Sequence, residues 1–326
     1  MRVVRDLSQL EPRTRAVAIG TFDGVHVGHQ AVIGRAVELG RERGLLTSVV
    51  TFDRHPLAVV APDHVPRLLT PLAEKVRLIA ELGPDELVLL PFDERLAALT
   101  AAEFCGQVLG AALRARVVVV GENFNFGAGG AGDAARLRAC GEVRGFETVA
   151  LPLVTEHGKT ISSTRIRLLL HEGELEEVRE ILGRPPSATG RVVAGDRRGR
   201  TLGVPTANID VEAGTIFPGR GVYAARVHVR DRWYRGAVNI GHNPTFRNRQ
   251  EETAHVTVEA FLLEFAADIY HSDIRVDFLH RIREEKRFAS VDELVAQMRD
   301  DIAVTAALDD PAFAEVGLAQ PGDAAS

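Results

Sequence analysis

The sequence predicts a doubly wound parallel α/β domain followed by a small antiparallel β-barrel domain with a C-terminal helix. Three observations predict it. The first half alternates unbroken apolar runs with segments of helical spacing. After Ser187 the runs become short and alternating, with Gly, Asn, Asp and Pro between them. The chain has 326 residues, room for two ordinary domains of about 100–200 residues.

The apolar runs of the first half are Arg15–Gly20, Leu45–Phe52, Glu86–Pro91, Ala115–Gly121 and Glu147–Leu153. Val- and Ile-rich runs with few polar breaks are how strands buried on both faces of a parallel sheet read. Gln30–Arg43, Pro71–Leu82, Ala101–Leu113 and Asp133–Val143 carry apolar residues at helical spacing, so strand and helix alternate as right-handed crossovers require. Helices are expected again at Ser163–Glu172 and Glu174–Leu182. Gly183 to Ser187, with paired prolines, reads as a linker. Strands are expected at Thr189–Val193, Gly221–Val229, Trp233–Ile240, Thr253–Leu263 and Ile274–Ile282, and an amphipathic helix at Val291–Ala307. The division is therefore 1–182, 183–308, and a tail 309–326 with no periodicity, expected to lack structure.

Bulk properties exclude several classes. A net charge of −6 disfavours a general binder of nucleic acid or anionic membrane. Neither a signal-peptide core nor a run near the roughly 20 apolar residues of a membrane span occurs, so a cytoplasmic place is expected. Cys105 and Cys140 form no metal-ligand spacing and read as structural thiols. Oligomeric state is not legible.

Chemistry concentrates first where the first strand meets the first helix, in Ala18-Ile-Gly-Thr-Phe-Asp-Gly-Val-His-Val-Gly-His29. Gly20 and Gly24 permit a tight turn, and Phe22 and Asp23 stand between them. A helix amino end offers unpaired N–H groups and positive potential to phosphate. His26 and His29, three apart, face the same way and can donate to phosphoryl oxygens as charge builds. Gly127–Gly132 matches GxGxxG. It does not follow its strand directly, and Glu147 precedes a strand, so a dinucleotide fold is disfavoured and a glycine loop beside a flavin or nucleotide is expected. No GxxxxGK[ST] exists. The second half instead carries Gly195-Asp-Arg-Arg-Gly-Arg-Thr-Leu-Gly-Val-Pro-Thr-Ala-Asn208. Gly195, Gly199 and Gly203 can wrap phosphate, and Arg197, Arg198 and Arg200 supply charge. Pro205 fixes the backbone before Thr206. Thr206 and Asn208 share one strand face, and their oxygens suit Mg²⁺ with ATP.

GxHxGH resembles the signature of the HxGH nucleotidyltransferases, which attack the α-phosphate of a nucleoside triphosphate. Ile161-Ser-Ser-Thr-Arg-Ile-Arg167 stands where their second signature lies. With Thr51-Phe-Asp-Arg-His-Pro56 and Val120-Gly-Glu-Asn-Phe-Asn-Phe-Gly127, the chain over about residues 14–306 resembles the prokaryotic bifunctional riboflavin kinase/FAD synthetases. The resemblance implies that Gly20, Phe22, His26, His29, Asn123, Ser162, Ser163, Thr164, Arg165 and Arg167 handle ATP for FMN adenylylation, with His26 and His29 catalytic. Asp23 and Phe124 would lie near without a defined role. GxxxGRxLGxPTAN resembles the riboflavin kinase signature. It implies that Gly195, Arg200, Gly203, Pro205, Thr206 and Asn208 bind ATP, that Thr206 and Asn208 hold Mg²⁺, and that Glu259 is the catalytic base. Further matches are Gly221–Tyr223, Ala237–Gly241, Asn243–Phe246, and Arg281, Arg283 and Lys286. Riboflavin, FMN, FAD and ATP are the expected small-molecule partners, with no nucleic acid or membrane. The chain departs from the family at His271, where glycine is common, and in the charged loop Arg247–Thr253. Two other classes stand beside this expectation: a single adenylyltransferase whose barrel only binds flavin, and a nucleic-acid module, which the acidic charge disfavours.

Overall fold

The computed structural model describes residues 1–194, 204–242 and 256–314. By internal packing the chain divides into Met1–Arg165 and Ile166–Ser326.

The first unit is built on a sheet of β1 (Arg2–Val4), β2 (Arg15–Ile19), β3 (Leu46–Phe52), β4 (Glu86–Leu90), β5 (Ala115–Gly121) and β6 (Glu147–Leu151). The order is β1-β4-β3-β2-β5-β6, and every pairing is parallel. β1 was not expected. It is three residues long at a sheet edge, too short to show a period. Helices α1 (Val27–Arg43), α2 (Leu72–Glu81) and α3 (Ala134–Arg144) are connections between the strands. Between α2 and α3, Ala101–Ala112 is helical, starting in a capping box of Thr100 and Glu103 and wound as a π-helix from Phe104. The unbroken runs have a plain cause. On β2, Val17 and Ile19 join one core and Ala16 and Ala18 the other; on β5, Val118 and Val120 divide from Val117 and Val119 in the same way. Both faces are covered, so the central positions of these two strands are apolar. Buried polar residues of the sheet include Arg15, wholly buried at the start of β2, where its Nε donates to Glu86 at 3.1 Å. The hairpin β7 (Thr155–Glu156) and β8 (Lys159–Thr160) precedes α4 (Ser163–Glu172).

In this sheet β3 and β4 follow β2 to one side, whereas β5 lies against its other side. The gap between the carboxyl ends of β2 and β5 is therefore the topological switch point, where open α/β sheets bind ligands.

The second unit opens with α5 (Leu175–Leu182) after the end of α4. β9 (Ser187–Val193), β10 (Ala207–Val211), β11 (Gly221–Val229), β12 (Arg232–His242), β13 (Val256–Leu262) and β14 (Asp273–Arg283) form a closed antiparallel barrel in the order β10-β13-β12-β11-β14-β9. Val258, Ala260 and Leu262 point inward, and Thr257, Glu259 and Phe261 outward. Closure between β9 and β10 requires Gly190, since a Cβ there would stand 2.3 Å from the Asp210 carbonyl oxygen. α6 (Val291–Ala307) packs on β11, β12 and β14, and Asp301 on it grips the Arg283 guanidinium at 2.8–3.2 Å.

Two expectations need correction. The stretch Gly183–Ser187 is not a free tether: Pro185 and Pro186 are buried, and the Pro186 carbonyl accepts from Phe278 N–H at 2.9 Å. The tail is structured through residue 314. α7 (Pro311–Ala314) buries Ala312 and Phe313, with Arg235 stacked over the Phe313 ring at 4.1 Å. Residues 315–326 lie outside the described residues. At the departure His271, the backbone adopts φ 64°. Histidine is among the residues enriched in that left-handed region, and the turn is closed by His271 N–H to the Val192 carbonyl at 2.9 Å.

Candidate active sites

The histidine turn leaves β2 at the switch point. Phe22, Gly24 and Val25 have φ of 50°, 89° and 40°. Positive φ at a β-branched valine is a rare state that persists only where its surroundings impose it. Here they do. Buried Asp23 accepts from the N–H groups of Leu69 and Thr70 at 3.0–3.2 Å and from the Thr70 hydroxyl at 3.3 Å. That hydroxyl in turn accepts from Gly24 N–H at 3.0 Å. Thr51 Oγ1 and Lys75 Nζ both donate to the Thr21 carbonyl. Phe22 is buried, and its ring meets His29 edge-on at 5.3 Å. Gly20 lies so close over that ring that a Cβ would be 2.9 Å from it.

His26 is the N-cap of α1. Its Nδ1 accepts from His29 N–H at 3.3 Å, so in the neutral ring the proton sits on Nε2. The two imidazoles stack at 3.5 Å, 19° from parallel. Capping and alignment are thus one geometry, not competing ones. Burial, then the neighbouring His26 and Lys75, hold His29 well below the ordinary imidazole value. Its Nδ1 is buried with no hydrogen-bond partner among the described residues.

Asn123 follows β5 and is exposed at the facing side of the switch point, in a turn where Phe124 N–H donates to the Gly121 carbonyl at 3.0 Å. Ser162 caps α4 by accepting from Arg165 N–H at 3.2 Å, and Ser163 Oγ donates to the Asp23 carbonyl at 2.9 Å. The second signature is thereby tied to the first. Thr164 is exposed. Arg165 donates to the carbonyls of Glu156 and Lys159 in the β7–β8 hairpin. Arg167 belongs to the second unit. The loop Gly127–Gly132 is folded back on itself, with Phe126 and Gly132 exchanging both backbone hydrogen bonds at 2.8–3.0 Å. Its end glycines answer to packing: a Cβ on Gly127 would stand 2.7 Å from Ala101 N, and one on Gly132 2.7 Å from the Phe126 ring.

In the barrel, register assembles the second site. Asn208 on β10 pairs with Glu259 on β13, and Glu259 pairs with Asn239 on β12. Directly opposed residues point to the same side of a sheet, so these three side chains form a row on the outer face. All three are half-buried, as is Thr206 two residues before Asn208; Pro205 is exposed. Gly195, Arg200 and Gly203, with Arg197, Arg198 and Gly199, lie outside the described residues, as does Asn243–Phe246. Arg281 and Arg283 stand on β14. Arg281 donates to the carbonyls of Glu172 and Arg220 at 3.1 and 3.0 Å, and Lys286 stands 5.9 Å from the Phe288 ring centre. Asn239 lies within the matched segment Ala237–Gly241, with no role of its own legible in the sequence. Its neighbourhood to Glu259 is a consequence of strand register and has no local signal.

Similarity to known proteins follows this division. A family model described as FAD synthetase matches residues 8–165, and one described as riboflavin kinase matches residues 182–308. A bifunctional riboflavin kinase/FMN adenylyltransferase of Escherichia coli (strain K12) is 40% identical over 302 residues, covering 92% of this chain and 95% of its own. The protein of that name from Bacillus subtilis is 37% identical over 292 residues, covering 89% and 91%. A solved structure from Streptococcus pneumoniae, described as a macrolide-efflux protein, superposes with a TM-score of 0.84 at 32% identity, covering 94% and 99%. Among the described residues of the present chain, no helix is long and apolar enough to cross a membrane. With both enzyme models matched in order along one polypeptide, and relatives aligned over nearly its whole length, the chain belongs to the bifunctional riboflavin kinase/FMN adenylyltransferase family.

Proposed function

We propose that the barrel phosphorylates the 5′-hydroxyl of riboflavin and that the α/β unit then joins the FMN phosphate to the α-phosphate of ATP, releasing pyrophosphate. The observation that carries the first step is the pairing of Asn208 with Glu259. It sets a carboxylate beside the hard oxygen donors Thr206 and Asn208 on one outer face. Glu259 accepts the hydroxyl proton as the flavin oxygen attacks the γ-phosphate. The Thr206 hydroxyl and Asn208 amide oxygen fit Mg²⁺, which would screen the charge of the triphosphate.

The adenylyl step is supported by the stacked His26 and His29 at the amino end of α1. His26 presents Nε2–H. His29, held neutral by burial, becomes a better cation and donor when an anionic triphosphate arrives, because opposite charge favours the protonated form. Asn123 and the hydroxyl-rich start of α4 would bind the rest of the nucleotide. The start of the riboflavin kinase match at residue 182 favours a boundary at 182/183, whereas internal packing divides the chain after Arg165, where the FAD synthetase match also ends. A cytoplasmic place suits an enzyme that draws on ATP.

Purified protein incubated with riboflavin, ATP and Mg²⁺, with products separated by chromatography, tests the proposal. FMN should appear first and FAD second, and chelation of the metal should halt both. Appearance of neither flavin product would refute it.

A further inference from the structure

We propose that Lys75 is a positioning residue for adenylyl transfer: from beneath the histidine turn it fastens the open ends of β2 and β3 and sets a fixed positive charge behind His29. The inference rests on assigning Met1–Arg165 to adenylyl transfer. Lys75 lies on α2 and is only 8% exposed. Its Nζ donates to the carbonyls of Thr21 and Phe52 at 3.3 and 3.2 Å and to Thr51 Oγ1 at 3.4 Å. Thr51 Oγ1 itself donates to the Thr21 carbonyl at 3.0 Å. One ammonium thus binds the residue that opens the turn, the last residue of β3 and the hydroxyl between them.

Burying an ammonium is unfavourable, and burial lowers the Lys75 pKa from its ordinary value against the opposing pull of Asp23 and Asp53. A methionine would fill such a place at less expense if packing were the only demand. The hydrogen bonds of Lys75 go to neutral oxygens at the site. The charged and titratable groups on the surrounding elements have other engagements. Asp23 accepts from Leu69 and Thr70, Asp53 from Phe92 N–H at 2.9 Å and from Arg54, and Glu74 faces Arg77. His26 caps α1. Asp23 and Asp53 attract the Lys75 charge without a hydrogen bond to it among the described contacts, and after burial and His26 the same charge opposes protonation of His29.

Lys75→Met, Lys75→Gln and Lys75→Arg in the full chain test this. Riboflavin phosphorylation by the same polypeptide reports folding, and the His29 ring is followed by NMR titration, assigned with His29→Gln. Lys75→Met should lower kcat for FMN adenylylation by about tenfold to a hundredfold, as small misplacements of a reacting constellation do, and leave phosphorylation unchanged. The His29 titration and the acid limb of adenylylation should move to higher pH, because a like charge has been removed. Lys75→Gln, a donor without charge, should regain part of the turnover yet keep the raised titration. Lys75→Arg should keep it low. Wild-type adenylylation in Lys75→Met, or identical His29 titration in that variant and the wild type, would overturn the proposal. A wild-type chain that made FMN and no FAD would instead refute the assignment of the unit, and the His29 titration would still decide whether Lys75 sets that ring's charge.

Discussion

The two candidate sites are built by opposite means. The histidine site is a short continuous stretch forced into an unusual backbone path and braced from afar: Asp23 on Leu69 and Thr70, Thr21 under Thr51 and Lys75, Ser163 on the Asp23 carbonyl. The barrel site has ordinary strand backbone at Asn208, Asn239 and Glu259, and its constellation is nothing but register across β10, β13 and β12. A turn concentrates chemistry in sequence and disperses its support. A barrel disperses the chemistry, and closure of the sheet is the support. Damage to each should differ in kind.

The largest expected effect separates the sites cleanly. Glu259→Gln removes the proposed base and should lower riboflavin phosphorylation by about 10²–10⁴-fold, with FMN adenylylation retained; supplying FMN directly measures the second. His29→Ala should do the reverse, lowering adenylylation by about 10²–10³-fold and leaving phosphorylation intact, so that FMN accumulates. Loss of both activities from either substitution would break the comparison.

Substitutions that touch only support come next. Gly190→Ala drives a methyl group into the Asp210 carbonyl and should shift β10 against β9. We expect a loss of about 3 kcal/mol in barrel stability and a fall in phosphorylation, read by thermal unfolding and steady-state rates. Asp23→Ala orphans the N–H groups of Leu69 and Thr70, at about 1–3 kcal/mol for each buried donor. Adenylylation should fall roughly tenfold to a hundredfold as the turn relaxes, while phosphorylation holds. Should Asp23→Ala leave adenylylation untouched, the turn would be self-supporting and the contrast with the barrel would vanish.

The same contrast explains what was legible beforehand. The unbroken runs of β2 and β5 announced a sheet covered on both faces, and GxHxGH announced the turn, because backbone demand and chemistry occupy one stretch. Nothing local marks Thr70, 46–47 positions from its partners Gly24 and Asp23, and the signature that contains Ser163 carries no sign of its bond to Asp23, 140 positions away. Lys75 reads as one more helix lysine until its bonds to Thr21, Thr51 and Phe52 are seen. Thr206–Asn208 and Glu259 were legible singly through family resemblance, but their adjacency, and the place of Asn239 beside them, follow from barrel closure. His271 stands as a departure by residue type alone, and only the backbone conformation shows that histidine suits its turn. The tail was misjudged because Ala312 and Phe313 bury too short a segment to show a period.

That tail supplies the smallest expected effect on catalysis. Asp310 is buried where α7 meets the barrel. It accepts from Arg179 at 2.9 and 3.1 Å, from Ala312 N–H at 2.7 Å and lies 2.7 Å from His280 Nε2. Burial alone would raise its carboxyl; Ala312, Arg179 and His280 outweigh burial and hold it below its ordinary 3.8. A carboxyl lowered on folding stabilises the native state above its unfolded pKa, and that contribution is lost as pH falls through the folded one. Asp310→Asn should therefore lower stability at neutral pH by about 2 kcal/mol. The gap from the wild type should close below pH 3.8, as the wild-type carboxyl takes up its own proton. Denaturant titrations at several pH values measure this directly. Phosphorylation at low temperature should stay near the wild-type rate, because Asp310 binds α5 and β14 whereas Asn208 and Glu259 stand on β10 and β13. A large loss of phosphorylation without loss of stability would place the C-terminal strap inside the kinase site and end the claim that strand register alone assembles it.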